Sequence, residues 1–100
     1  MDGSLRQKIL LLCQCPSKVT LTGSAKNDSG RVGVTKEGIL RCIEKHIQSD
    51  GVIEKILQKK TGKPAYLMFM QVLANKYYVK VQFYGPDNNM IVLSFHPAKW

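Results

Sequence analysis

Two runs near the C-terminus carry the side chains best suited to chemistry. They are Tyr77-Tyr78-Val79-Lys80-Val81-Gln82-Phe83-Tyr84 and Met90-Ile91-Val92-Leu93-Ser94-Phe95-His96. Both alternate and are rich in β-branched and aromatic residues, and Gly85-Pro86-Asp87-Asn88-Asn89 between them reads as the five-residue loop of a hairpin. Antiparallel counting with Tyr84 opposite Met90 pairs Gln82 with Val92, Lys80 with Ser94 and Tyr78 with His96. Period-two alternation then gathers Tyr78, Lys80, Gln82, Ser94 and His96 on one face. Val79, Val81, Phe83, Ile91, Leu93 and Phe95 form an apolar opposite face that must meet the helices.

The polar face suits a phosphodiester. Metal-independent RNA cleavage needs a base for the 2′-hydroxyl, an acid for the leaving 5′-oxygen and cations for the crowded phosphate. His96, Tyr78 and Lys80 match these roles, and Tyr78 or Tyr84 offers a ring on which a base stacks. The competing explanation is an ordinary solvent face of a half-buried sheet, where alternating polar residues occur without any function.

Other constellations carry less. Cys13-x-Cys15 and Cys42-x3-His46 supply four atoms that bind zinc elsewhere, but their spacing is not that of a zinc knuckle, and Cys13 fits an apolar stripe. Structural thiols and a helix-surface histidine are expected, with no metal and no cofactor. Ser94 has no histidine–acid triad in prospect. The seven acids show no metal-binding spacing, which argues against a magnesium nuclease. Gly30-x-x-Gly33 lacks the strand–turn–helix context of a phosphate loop.

The charge points the same way as the hairpin. Fifteen Lys and Arg against seven Asp and Glu leave a formal net charge of +8, which suits nucleic acid first, an acidic protein second and a membrane surface third. From Lys55 to Pro86 there is no acid, while Lys55, Lys59, Lys60, Lys63, Lys76 and Lys80 all fall inside. Lys60, Lys63 and Lys80 are therefore candidate RNA contacts. A basic face kept for solubility is the simpler alternative.

The elements that must position these residues fit one domain spanning all 100 residues. The longest apolar run, Ile9 to Cys13, is too short to span a bilayer. Gln14, Cys15 and Pro16 follow it in place of a small-residue cleavage site, so it belongs to the fold and a cytoplasmic location is expected, without membrane association. Residues 4–14 place Leu5, Ile9, Leu12 and Cys13 on one helical face, stopped by Pro16. Residues 18–22 read as a strand and residues 23–33 as an exposed loop. Thr35 caps a helix with Ile39, Leu40, Ile43 and Ile47 inward. A third, shorter helix starts at Ser49 or Asp50, carries Val52, Ile53, Ile56 and Leu57, and ends at Gly62 before Pro64. Residues 65–73 are apolar enough for a strand covered on both faces. The whole is α+β, with two or three N-terminal helices on one face of a small antiparallel sheet.

Several segments together resemble a known family. Lys18-Val19-Thr20-Leu21-Thr22-Gly23-Ser24-Ala25, Val32-Gly33-Val34-Thr35-Lys36-Glu37-Gly38-Ile39, Tyr78-Val79-Lys80-Val81-Gln82 and Ile91-Val92-Leu93-Ser94-Phe95 are similar to segments of the MqsR-type toxins. These toxins of bacterial toxin–antitoxin modules belong to the RelE-like group of small basic messenger-RNA endonucleases. The resemblance covers about Lys18 to His96 and is most specific in the hairpin. It implies a RelE-like fold, endoribonuclease activity on messenger RNA, in some cases at the ribosome, and a cognate antitoxin as partner. By local match it also implies catalytic roles for Lys59, Gln71, Tyr78 and the residue after Ser94-Phe95, which is His96 where the family has lysine. The segment between Gln71 and Tyr78 is shorter than in the family. Lys99, in Pro97-Ala98-Lys99-Trp100, is an additional cation for RNA.

Rival functions follow from the same charge. A non-catalytic nucleic-acid-binding module would lose affinity but no turnover on replacing His96. A basic inhibitor of an acidic groove would bind RNA weakly at moderate salt. The nuclease domain of a contact-delivered toxin would share the architecture.

Overall fold

A computed structural model describes residues 2–72, 75–85 and 89–97. Its elements run α1 (Asp2–Cys13), a 3₁₀ turn (Pro16–Lys18), β1 (Val19–Leu21), α2 (Gly23–Arg31), α3 (Lys36–Gln48), β2 (Glu54–Leu57), β3 (Pro64–Val72), β4 (Asn75–Tyr84) and β5 (Asn89–Pro97). The five strands form one sheet in the order β1-β5-β4-β3-β2. The architecture is α+β. The sheet is mixed, not purely antiparallel, because β1 pairs with β5 in parallel, Val19 opposite Met90. Nor do all the helices precede the sheet, since β1 lies between α1 and α2.

The helices cover one sheet face. Ile9, Leu12 and Cys13 of α1 and Ile39, Leu40, Ile43 and Ile47 of α3 are buried against Met68, Met70, Tyr77, Val79, Val81, Met90, Val92 and Phe95. Burying each large aliphatic or aromatic side chain contributes roughly 1.5–3 kcal/mol relative to exposure. Tyr77 and Phe95 stack with ring centroids 4.7 Å apart in this layer. No helix among the described residues is long and apolar enough to cross a membrane.

Two segments differ from the sequence expectation. The stretch expected to be an exposed loop, residues 23–33, contains α2. Its composition is poor for a helix, so its stability comes from anchoring. The Thr22 hydroxyl accepts a bond from Ala25 N at 3.1 Å and donates one to Leu93 O at 2.9 Å, while Ala25 is fully buried. The segment expected as a third helix holds β2, which pairs antiparallel with β3, Ile56 opposite Ala65. Asp50, at φ 63°, turns the chain out of α3, and the edge of β3 offers the backbone hydrogen bonds that a second strand completes. A short apolar run is ambiguous between the two periods, and the available partner decides. Gly62 does adopt the left-handed conformation, at φ 70°, but in the β2–β3 turn and not at a helix end.

β3 also departs from the expectation of cover on both faces. Met68 and Met70 are buried beneath the helices, whereas Phe69 is 38% exposed and Gln71 is exposed on the other face. The three helices all lie on one side, so the apolar continuity of residues 65–73 is not matched by a second layer.

The hairpin register contains two compensating irregularities. Tyr84 pairs with Asn89, not Met90, and Gln82 with Ile91, not Val92. A bulge then restores the expected pairing, Lys80 with Ser94 and Tyr78 with His96, by leaving Leu93 as an extra residue between Val92 and Ser94. Met90 and Val92 therefore occupy core positions together with Phe95, while Ile91 and Leu93, expected on the core face, are only partly buried.

Candidate active site on the open sheet face

The sheet face away from the helices carries an aromatic row across three neighbouring strands. Phe69 of β3 lies opposite Tyr78 of β4, and Tyr78 opposite His96 of β5. Tyr78 and His96 stack with centroids 4.5 Å apart and an interplanar angle of 16°. Phe69 meets the other side of Tyr78 edge-on, with centroids 5.6 Å apart. Cross-strand pairing is what makes this row: β-strand neighbours lie about 4.8 Å apart, and side chains in register on one face must meet.

The two rings of the central pair differ electrostatically. Tyr78 is half-buried between its neighbours, and burial pushes its phenol pKa above 10.0, so the hydroxyl stays protonated at neutral pH and is available as a donor. His96 is exposed, with Nδ1 at 3.1 Å from its neighbour's Pro97 O. A carbonyl only accepts, so Nδ1 carries the hydrogen in that bond and Nε2 of the neutral ring keeps its lone pair. β1 pairs with β5 only from Met90 to Val92, so among the described residues no strand lies beside His96 on the side away from Tyr78.

Lys80 is half-buried one pleat along from Tyr78, opposite Ser94 on one side and Leu67 on the other. Glu54 of β2 lies opposite Leu67 in turn. An ammonium, a hydroxyl and an acid are thus in one cross-strand row beside the aromatic one. Further along, Gln82 accepts a 2.6 Å bond from Gln58. Tyr84 is 39% exposed, with its hydroxyl 3.3 Å from the Thr20 hydroxyl.

The remaining sequence candidates fall elsewhere. Gln71 lies one pleat beyond Phe69 on the same face, opposite Lys76. Lys59, Lys60 and Lys63 are exposed in the β2–β3 turn, beside the Pro64 end of β3. Phe69 and Pro64 are five residues apart in that strand, about 17 Å at the usual rise. The turn is therefore at the opposite end of the sheet from Tyr78 and His96, near Gln82 and Tyr84. Lys99 lies outside the described residues.

Phe69 and Glu54 were missed by sequence reasoning. The uniform apolarity of residues 65–73 hid the alternation that exposes Phe69, and Glu54 acquires its place only when β2 is recognised as a strand. The period-two position of Phe69 relative to Gln71 was the available signal.

The cysteines and His46 form no comparable cluster, and among the described residues no three His, Cys, Asp or Glu side chains converge as metal ligands would. Cys13 is buried, and desolvation pushes its thiol up to about 12. Burial also raises Cys42, while Cys15 is exposed. His46 is committed to the α3–β2 corner: its Nε2 lies 2.9 Å from Val52 O, and its ring packs where a Cβ on Gly51 would sit.

No protein-family model, curated protein or solved structure matches the chain.

Proposed function

We propose that this chain is a small, metal-independent endoribonuclease of RelE-like type, a cytoplasmic growth-inhibiting toxin that acts on messenger RNA, in some contexts at the ribosome, and is neutralised by a cognate antitoxin. The observation that carries the reading is the stacked Tyr78–His96 pair with Lys80 beside it on an open face of a strongly basic chain. The segment resemblance to MqsR-type toxins also supports it, and it rests on the same hairpin as the side-chain geometry.

In this reading His96 Nε2 takes the proton of the RNA 2′-hydroxyl as its oxygen attacks phosphorus. The bond from phosphorus to the 5′-oxygen breaks, and the Tyr78 hydroxyl donates a proton to that oxygen. A 2′,3′-cyclic phosphate and a 5′-hydroxyl result. The stacked imidazolium then reprotonates the adjacent tyrosinate through solvent, which returns both groups to their starting state. The Lys80 ammonium stabilises the charge that builds on the phosphoryl oxygens. It takes the role that the resemblance implies for Lys59, which stands at the far end of the sheet. Lys59, Lys60, Lys63 and Tyr84 hold the RNA strand beyond the scissile bond, and Gln71 borders the reacting end. The side of His96 away from Tyr78, where no strand lies among the described residues, accepts an unstacked base.

The test is cleavage of a long unstructured RNA in EDTA by wild type, His96→Ala and Tyr78→Phe. Loss of cleavage in both variants is expected. Full activity in His96→Ala eliminates this site. A folded wild type that binds RNA without cutting it, alone or with ribosomes, establishes the second reading, a non-catalytic RNA-binding module. The row of three rings on the open face favours that reading over a protein inhibitor.

A further inference from the structure

On the helix side of β1 there is a second basic feature. A half-open cavity of about 1130 Å³ lies between β1, α2 and the start of α3, lined by the cations Lys26, Arg31 and Lys36 and by Ser17, Asn27 and Thr35, with no carboxylate among the described residues of its wall. Its size is ample for a nucleotide, since small-molecule sites occupy roughly 300–1,000 Å³. A concave surface lined by one sign of charge concentrates the field and draws the opposite charge in.

Lys36 is the informative member. It occupies the first position of α3, where the helix dipole disfavours a cation. Two carbonyls hold it there: its ammonium donates to Pro16 O at 2.8 Å and to Val19 O at 3.0 Å. An ammonium has three hydrogens, so one donor remains after both bonds. The chain thus spends a long side chain's freedom to fix a positive charge in the cavity wall. Lys26 and Arg31 are exposed at its rim, and the contact of Arg31 with Asp28, at 3.9 Å, is too long and too solvated to neutralise it.

The geometry points to a phosphate-ester site in this cavity, taking a nucleotide's phosphate groups on Lys26, Arg31 and the remaining donor of Lys36. The site is separate from the Tyr78–His96 face and does not depend on RNA cleavage. The phosphate comes either from a free nucleotide or from a nucleic-acid strand passing over the β1 edge.

Binding of inorganic pyrophosphate, ATP and a short 2′-O-methyl RNA, which cannot undergo 2′-hydroxyl transesterification, separates the sources. The variants are Lys26→Glu/Arg31→Glu and, as a control with the same charge change outside the cavity, Lys45→Glu/Lys55→Glu. Weakening of pyrophosphate and ATP by about tenfold or more in the cavity variant, beyond the control, assigns a free nucleotide. No measurable ATP binding, with RNA affinity falling more in the cavity variant than in the control, assigns a strand. Equal weakening in both variants, or no binding of any probe that depends on the cavity, overturns the site. Lys36→Met, checked for folding by circular dichroism, should reproduce the cavity variant's loss. If it does not fold, the two rim substitutions decide the question alone.

Discussion

The chain's two histidines sit in regions that use the same side chain in opposite ways. At the α3–β2 corner, His46 is half-buried, its ring wedged against Gly51 and bonded to Val52 O across the turn that Asp50 makes at positive φ. At the end of β5, His96 is exposed and leans on Tyr78, with a local backbone bond fixing which nitrogen is protonated. The first region spends its imidazole on holding two elements together. The second leaves Nε2 without a partner among the described residues, on an open face, and that spare capacity separates a candidate catalytic group from a structural one.

Substitution breaks the comparison cleanly if it is right. His96→Ala should lower cleavage of a long unstructured RNA in EDTA by about a hundredfold or more, the scale of losing an acid–base group. Its melting transition should move little, because exposed substitutions usually stay within about 0.5 kcal/mol. His46→Ala should show the reverse, a destabilisation of about 1–2 kcal/mol in urea unfolding from the lost bond and packing, with cleavage per folded molecule nearly unchanged. Both variants losing activity without losing stability would dissolve the distinction.

Gly51→Ala sharpens the structural half. A Cβ there collides with the His46 ring, which must leave Val52 O to make room. The expected cost is about 1–3 kcal/mol, and most of it should vanish in the His46→Ala background, a coupling that a double-mutant cycle measures. Additive costs would mean that the two residues do not share the corner.

An effect confined to high pH is expected from alkaline titration and lies on the helix side. Cys13 is raised from 9.0 to about 12, so the folded state holds its proton more tightly than the unfolded chain. The resulting stabilisation is complete below pH 9 and is lost as pH rises from there through about 12. Under reducing conditions, Cys13→Ala should therefore flatten the decline of stability above pH 9, whereas His96→Ala should leave its slope as it is. Unchanged slopes in both would show that the buried thiol is not what titrates.

Much of the candidate site was legible because a strand's side chains obey a two-residue period whatever covers the sheet. The alternation of Tyr78, Lys80, Ser94 and His96 announced their shared face, and the loop residues announced the hairpin. Antiparallel counting from Tyr84 and Met90 pairs Tyr78 with His96 because the one-residue shift at Tyr84, which faces Asn89, is cancelled by the Leu93 bulge. Neither the shifted register at Tyr84 and Asn89 nor the bulge has a local signature here. Both follow from the need to bury Met90, Val92 and Phe95 together.

What the sequence determined by itself was local: the caps at Thr35, the apolar faces of α1 and α3, the left-handed Gly62 and the sign of the charge. Those properties depend on residues within a turn or two of one another. What only the tertiary structure decided was whatever needs a distant partner. The poor helix former at residues 23–31 became α2 because Leu93 accepts from Thr22 and the core accommodates Ala25. The expected third helix became β2 because β3 offered an edge. Lys59 was carried to the far end of the sheet by the turn that this edge pairing creates, and Phe69 was brought to Tyr78 by strand register. A short segment's own preference is worth a few tenths of a kcal/mol per residue, and a hydrogen-bonded edge or one buried side chain outweighs it.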